Sequence, residues 1–297
     1  MQSLWMLVAC AMFALMGACV KLASDYDANM PQIILFRGTP SVILLFLWTQ
    51  YHKKSLRPKS WKAHLLRNGF GVTSMWLGFM ALSMLPLSTA ISLNYTAPLF
   101  IGFWMLLFGG TQRDPIRIIA VMFGFLGVVA VLRPSLHAEQ LPYALLGLMA
   151  GACAAVAMMQ IRQLGRLGEP EWRTVFIFST FVCISGGATL MVLGWPTLGW
   201  QAYLALIGVG VSGLFGQLAM TRAFGLGSAL LTAVLQYSTI IFAALLGIVV
   251  WGDIPDVVAW GGMALIIVSG LISAWRTYTE DRIMRSQASA KTISQKG

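Results

Sequence analysis

Ten times along the chain, a run of roughly 17 to 25 residues passes with almost no charged side chain inside it. At about 1.5 Å of rise per residue, a helix of that length matches the roughly 30 Å hydrocarbon core of a bilayer. The runs cover approximately 4–23, 32–50, 68–85, 88–108, 116–132, 143–161, 175–193, 203–222, 229–251 and 257–275. Only 10% of the 297 residues are Asp, Glu, Lys or Arg and 58% are apolar, too little charge to coat a water-soluble domain of this size. The expected fold is therefore an all-α integral membrane protein of ten transmembrane helices. The first run has no basic stretch before it and nine spans after it, so it reads as a retained helix and not a cleaved leader.

The basic residues test these spans. Lys53, Lys54, Arg57, Lys59, Lys62, Arg67, Arg113, Arg117, Arg162, Arg166, Arg173, Arg222, Arg276, Arg282, Arg285, Lys291 and Lys296 fall in alternate loops and the tail, 17 of the 20 Lys and Arg. Lys21, Arg37 and Arg133 are the remainder. By the positive-inside rule both termini face the cytoplasm of a bacterial-type inner membrane. The net charge of +10 is thus a topology signal spread over several loops, which excludes the nucleic-acid reading that a single basic face would carry. Cys10, Cys19, Cys153 and Cys183 lie inside apolar runs and read as packing residues. The segment 278–297 is polar and lacks an apolar period, so it is expected to be a disordered cytoplasmic tail.

The chain also resembles itself. At an offset of 142, Ala81, Leu93, Tyr95, Phe100, Gly110 and Asp114 meet Ala223, Leu235, Tyr237, Phe242, Gly252 and Asp256. The pair Asn94-Tyr95 in span four faces Gln236-Tyr237 in span nine. This offset maps the first five spans onto the last five, giving repeats over 1–139 and 140–277. An odd number of spans per unit makes the second copy enter the membrane from the opposite face. Such inverted repeats are a recurring plan of secondary transporters, in which two halves exchange conformations about a midplane site.

Lys21 near the outer end of span one, Phe36-Arg37-Gly38 early in span two, and Ala81-Leu82, Leu85-Pro86-Leu87 and Ala90 followed by Asn94-Tyr95-Thr96-Ala97-Pro98 resemble the EamA-type branch of the drug/metabolite transporter superfamily. The resemblance covers roughly residues 1 to 276. It departs at Gly109-Gly110-Thr111-Gln112, where the family commonly has an acid after span four; the second half keeps one in Trp251-Gly252-Asp253. The resemblance implies an inner-membrane carrier of small metabolites, often an exporter of amino acids or related compounds.

Within the spans, Lys21 and Arg37 are the ionisable residues that stand out, and a charge at membrane depth marks function by default. They are expected to place positive potential in the outer half of a central cavity and to attract an anionic group. Asn94, Gln217 and Gln236 supply hydrogen bonds, while Tyr95, Tyr237 and Trp76 supply walls or gates. Snorkelling of Lys21, helix clamping by Arg37 and interhelical bonding by the amides are the structural alternatives. No Asp or Glu falls inside a span, so no carboxylate is placed to bind a driving ion, and facilitated exchange or export is expected. A proton-coupled importer of a larger metabolite such as a nucleoside or cofactor is the alternative, followed by a non-transport receptor. His52, His64 and His137 lie in loops or at a span edge, and no carboxylate is placed in sequence to form a recognisable ligand set with them, so no enzyme, metal site or cofactor is expected. The partners are a small-molecule substrate and the bilayer. The recurring small residues Gly208, Ser212 and Gly216, and Gly147, Gly151 and Ala155, read as contacts within one chain, so a monomer is expected over a homodimer.

Overall fold

The computed structural model describes residues 4–94, 138–226 and 235–269, with isolated positions within 96–130 and 271–279. Most of the fifth expected span and of the tail, with Tyr95 and Pro98, lie outside the described residues. Among the described residues all regular structure is helical. The long elements are α1 (Trp5–Asp25), α2 (Met30–Tyr51), α3 (Trp61–Met84), α4 (Leu87–Asn94), α5 (Leu141–Arg166), α6 (Glu171–Leu193), α7 (Trp200–Leu226), α8 (Ser238–Trp251) and α9 (Val257–Ser269).

Local chemistry sets several of these ends. Asn29 and Gln32 form a reciprocal capping box at the start of α2, with Pro31 in its first turn. The Ser60 hydroxyl caps α3 by accepting from the Ala63 N–H, so this helix begins seven residues before its apolar run. That early start corrects the placement of Arg67 in a cytoplasmic loop: it lies within α3 and is buried. Gly252, at a φ of 69°, ends α8 in the left-handed conformation that glycine adopts without penalty.

Five helices, α1, α2, α5, α6 and α7 over Trp200–Ala223, are long and apolar enough to cross a membrane. α3 is not among them; its N-terminal third carries Arg67 and Asn68. Large apolar side chains, such as Ile43, Leu47, Ile184, Leu204, Phe215 and Leu245, face outward, while Ala14, Ala18, Ala81, Ala90 and Ala144 lie inside. This distribution suits lipid, where close backbone approach and not expulsion of apolar groups from water drives association.

α1 packs along α7, α3 along α5, and α2 along both α6 and α7. α1 also meets α8, and α4 meets α5 and α8. Small residues make the closest seams. A Cβ on Gly208 would stand 2.7 Å from Cys19 Sγ, and one on Gly216 would stand 2.9 Å from the Phe13 ring, so this face of α7 belongs to α1. Between α2 and α7, Pro40 has no N–H to give the Phe36 carbonyl one turn back. Gly210 occupies the space beside that carbonyl, where a Cβ would come within 2.5 Å of its oxygen.

On the face assigned to the cytoplasm, Glu169 joins two loops. It accepts from the Lys59 N–H at 2.9 Å and from Arg173 Nη1 at 2.8 Å, while Arg173 Nη2 donates to the Ser55 carbonyl at 2.7 Å. His64 Nε2 stands 3.8 Å from the same carboxylate, across a sequence gap that hid the pairing from sequence reasoning. Burial raises the Glu169 carboxyl pKa, but the Lys59 and Arg173 bonds outweigh it and hold the group below its ordinary value.

Two outcomes follow for stability in detergent. Gly186→Leu lowers the melting temperature, at a cost of about 1–3 kcal/mol, because its Cβ meets the Leu35 N and Pro31 O backbone at 2.8 and 2.9 Å. Gly187→Leu, whose Cβ approaches only Leu35 Cδ1 at 4.0 Å, is the near-neutral control. Glu169→Gln costs about 1–3 kcal/mol at neutral pH. Since the folded carboxyl pKa is depressed, that difference is full above the ordinary carboxylate value and fades as pH falls through the folded one, which melts across an acid series would reveal.

Candidate functional site

Arg37 lies seven residues into α2, roughly 10 Å of helix rise from its N-terminal end. It is 3% exposed. Its side chain runs against α7, where Gly213 leaves it room: a Cβ there would stand 2.6 Å from Arg37 Cδ and Nε. Nη2 donates to Gln217 Oε1 at 3.3 Å, one turn further along α7, and Nη1 has no partner. A guanidinium with a single long hydrogen bond and no carboxylate is under-satisfied for a buried cation, which leaves it able to take an anion. The fold thus brings together two residues that the sequence separates by 180 positions.

Lys21 is engaged elsewhere. Its ammonium donates to the Leu85 carbonyl at the end of α3 at 3.3 Å and stands 5.5 Å from the Trp251 ring centroid. The Trp251 indole donates in turn to Asp25 Oδ2 at 2.9 Å, so these four residues tie the ends of α1, α3 and α8. Trp76 bridges α3 and α6 through an indole bond to Ser185 Oγ at 3.3 Å.

The paired polar residues of spans four and nine sit where the helices are interrupted. α4 ends at Asn94 and a turn occupies Thr96; Gln236 precedes a turn at Tyr237, from which α8 starts. Asn94 Oδ1 and the Tyr237 hydroxyl are buried without hydrogen-bond partners. Asn94 faces Gly78 of α3, and Gln236 is buried beside Cys10 of α1, whose thiol reaches its carbonyl at 3.5 Å. Tyr95 lies outside the described residues.

Sequence reasoning missed Arg67 and Asn68, which the helix start at Ser60 carries into the protein. The available signal was an Arg-Asn pair at the mouth of an apolar run, followed by Gly71 one turn on. It also missed the hydroxyls of Ser41 and Ser179, buried and unpartnered on α2 and α6.

The sequence model of the EamA-like transporter family matches residues 1–133 and 141–275. The chain belongs to that family. It is 30% identical over 262 residues to the pseudopaline exporter of Pseudomonas aeruginosa, covering 86% of this chain and 90% of that one. It is 26% identical to a riboflavin transporter of Vibrio cholerae, with 93% of each chain covered. A third relative, the S-adenosylmethionine uptake transporter of Rickettsia bellii, is 26% identical over 82% of each chain. A solved crystal structure superposes with a TM-score of 0.62 at 18% identity over 91% of this chain and 96% of that one, a likeness of fold alone. The chain is a multi-pass membrane protein of a transporter family whose members handle chemically varied small molecules.

The Arg37–Gln217 bond can be weighed directly. Gln217→Leu strips the guanidinium of its acceptor and lowers stability by about 1.5–3 kcal/mol. The Arg37→Met/Gln217→Leu double variant recovers most of that loss, because no buried charge remains; a double-mutant cycle on detergent melts measures the coupling.

Proposed function

We propose that this protein is an inner-membrane carrier of a small polar metabolite bearing an anionic group, moved by alternating access in export or facilitated exchange. Ten spans form two inverted five-helix halves, 1–139 and 140–277, with both termini cytoplasmic. The packing pattern supports that plan. Exchanging the halves turns the α1–α7 seam into α5–α3 and the α1–α8 seam into α5–α4, and returns α2–α6 and α4–α8 to themselves; all of these seams are present. Gly127, of the fifth expected span, lies against Gly262 and Ile266 of α9, again a pair that the exchange preserves. The interruptions at Thr96 and Tyr237 are one position from equivalence at the offset of 142, and broken helices at corresponding places are where such carriers put their sites.

The observation that carries the substrate class is Arg37, buried, centrally placed and only partly bonded. Asn94 and Gln236 contribute hydrogen bonds, Trp76, Tyr95 and Tyr237 line the path, and Lys21 guards the outer end. The relatives named for riboflavin transport and S-adenosylmethionine uptake favour a second reading, import of a larger cofactor-like compound, to which proton coupling is our added element.

Proteoliposomes loaded with a mixture of amino acids, organic acids, nucleosides and cofactors test both. One or more anionic solutes leave wild-type vesicles at least about tenfold faster than empty ones, and Arg37→Ala at equal incorporation removes most of that flux, a loss of about 1.4 kcal/mol or more in effective interaction. Flux unchanged by Arg37→Ala removes the electrostatic role. Flux that collapses with the proton gradient moves the assignment to the coupled importer.

A further inference from the structure

We infer that Arg67 is a second anion-binding group facing Arg37, and that the substrate carries two negative charges: two carboxylates, or a phosphomonoester. The inference rests on the carrier reading above and narrows it.

Arg67 lies six residues into α3, roughly 9 Å from its cytoplasmic end, and is 3% exposed. Its direction is informative. An arginine so close to a helix end ordinarily bends back towards the headgroups, and the Cα–Cβ bond, tilted to the N-terminus, already points that way in α3. Arg67 does the opposite. A Cβ on Gly71, one turn deeper, would stand 2.6 Å from Arg67 Nη1, so the guanidinium extends towards the membrane centre in room that a glycine leaves. Arg37 descends from the other side against Gly213 in the same manner.

The face of the Arg67 guanidinium rests on the Phe178 ring of α6, 3.7 Å from the centroid. Stacking covers that face but not the N–H edges, which lie in the guanidinium plane. Nε and Nη1 have no acceptor. Asn68 beside it is fully buried, and neither its amide nitrogen nor its oxygen is bonded. The Ser41 and Ser179 hydroxyls, on α2 and α6, are likewise unpartnered. No carboxylate pairs with either arginine among the described residues, and α6 brings the two together: a Cβ on Gly38, next to Arg37, would stand 2.8 Å from the carbonyl of Ser179, the neighbour of Phe178. Helix packing alone gives no reason to bury two guanidiniums that have one side-chain acceptor between them, with an amide and two hydroxyls left unbonded. A ligand with two anionic groups answers both forks at once, each suited to a carboxylate or phosphate. Asn68 and the serines then meet its remaining polar atoms.

The test uses the full chain in detergent and three probe pairs: succinate against succinamate and glutamate against glutamine, both near-isosteric, and glycerol 3-phosphate against glycerol, which lacks the phosphate. Binding is read from ligand-dependent melting. At least one dianion binds wild type ten-fold or more tightly than its partner probe, and Arg67→Gln reduces that preference below two-fold. Without ligand, Arg67→Met melts higher than wild type, since it removes an unanswered buried charge; a purely structural arginine gives a lower melt. Equal binding of both members in every pair, with Arg67→Gln unchanged, overturns the two-charge inference and leaves the Arg37 reading standing. Wild type that no dianion shifts also overturns it. If glutamine or glycerol alone binds, and Arg37→Ala does not alter it, the anionic-carrier reading falls as well.

Discussion

A guanidinium cannot shed its proton, so wherever the fold encloses one, the interior must be arranged around a permanent positive charge. In this protein that constraint organises the centre. Arg37 sets the spacing of α2 and α7 at Gly213 and claims the Gln217 amide, while Arg67 sets α3 against the Phe178 face of α6. Two pairs of helices, α2 with α7 and α3 with α6, are thereby each committed to a buried cation. The surrounding small-residue seams hold these helices close enough for that commitment without closing the space by force.

The two ends of the bundle are built differently. At the end assigned to the cytoplasm, Glu169 takes charge-assisted bonds from a backbone N–H and an arginine, with His64 Nε2 3.8 Å away. At the other, Lys21, Trp251, Asp25 and the Leu85 carbonyl form a sparser link, in which the cation faces an indole and the carboxylate receives that indole's hydrogen bond.

The helices were largely legible in the sequence because exclusion of charge from lipid is a one-dimensional property: it can be counted along a chain. α3 shows the limit of that count. Its apolar run starts at residue 68, yet the Ser60 cap starts the helix at Trp61, and those added turns carried Arg67 inside. Arg37 was legible because it interrupts an apolar run; its partner was not, since nothing local links α2 to Gln217. Lys21 shared its sign with Arg37 and was grouped with it, whereas its company, Leu85 and Trp251, is tertiary. The Asn94 and Gln236 positions stood out through the repeat, but that each marks a helix interruption is a backbone fact that residue identities alone did not convey.

Pro40 and Gly210 carry a consequence for the chain's history. The proline leaves the Phe36 carbonyl without its helical donor, and the glycine lets the neighbouring helix sit beside that oxygen, so each residue is the context in which the other is acceptable. They lie in the two separate stretches that the family model matches. A chimera joining the first half of this chain to the second half of a relative with a bulkier residue at the Gly210 position inherits a collision, although each half is sound in its parent. Change at these two positions is therefore expected to be concerted, so the two matched stretches cannot drift as independent modules.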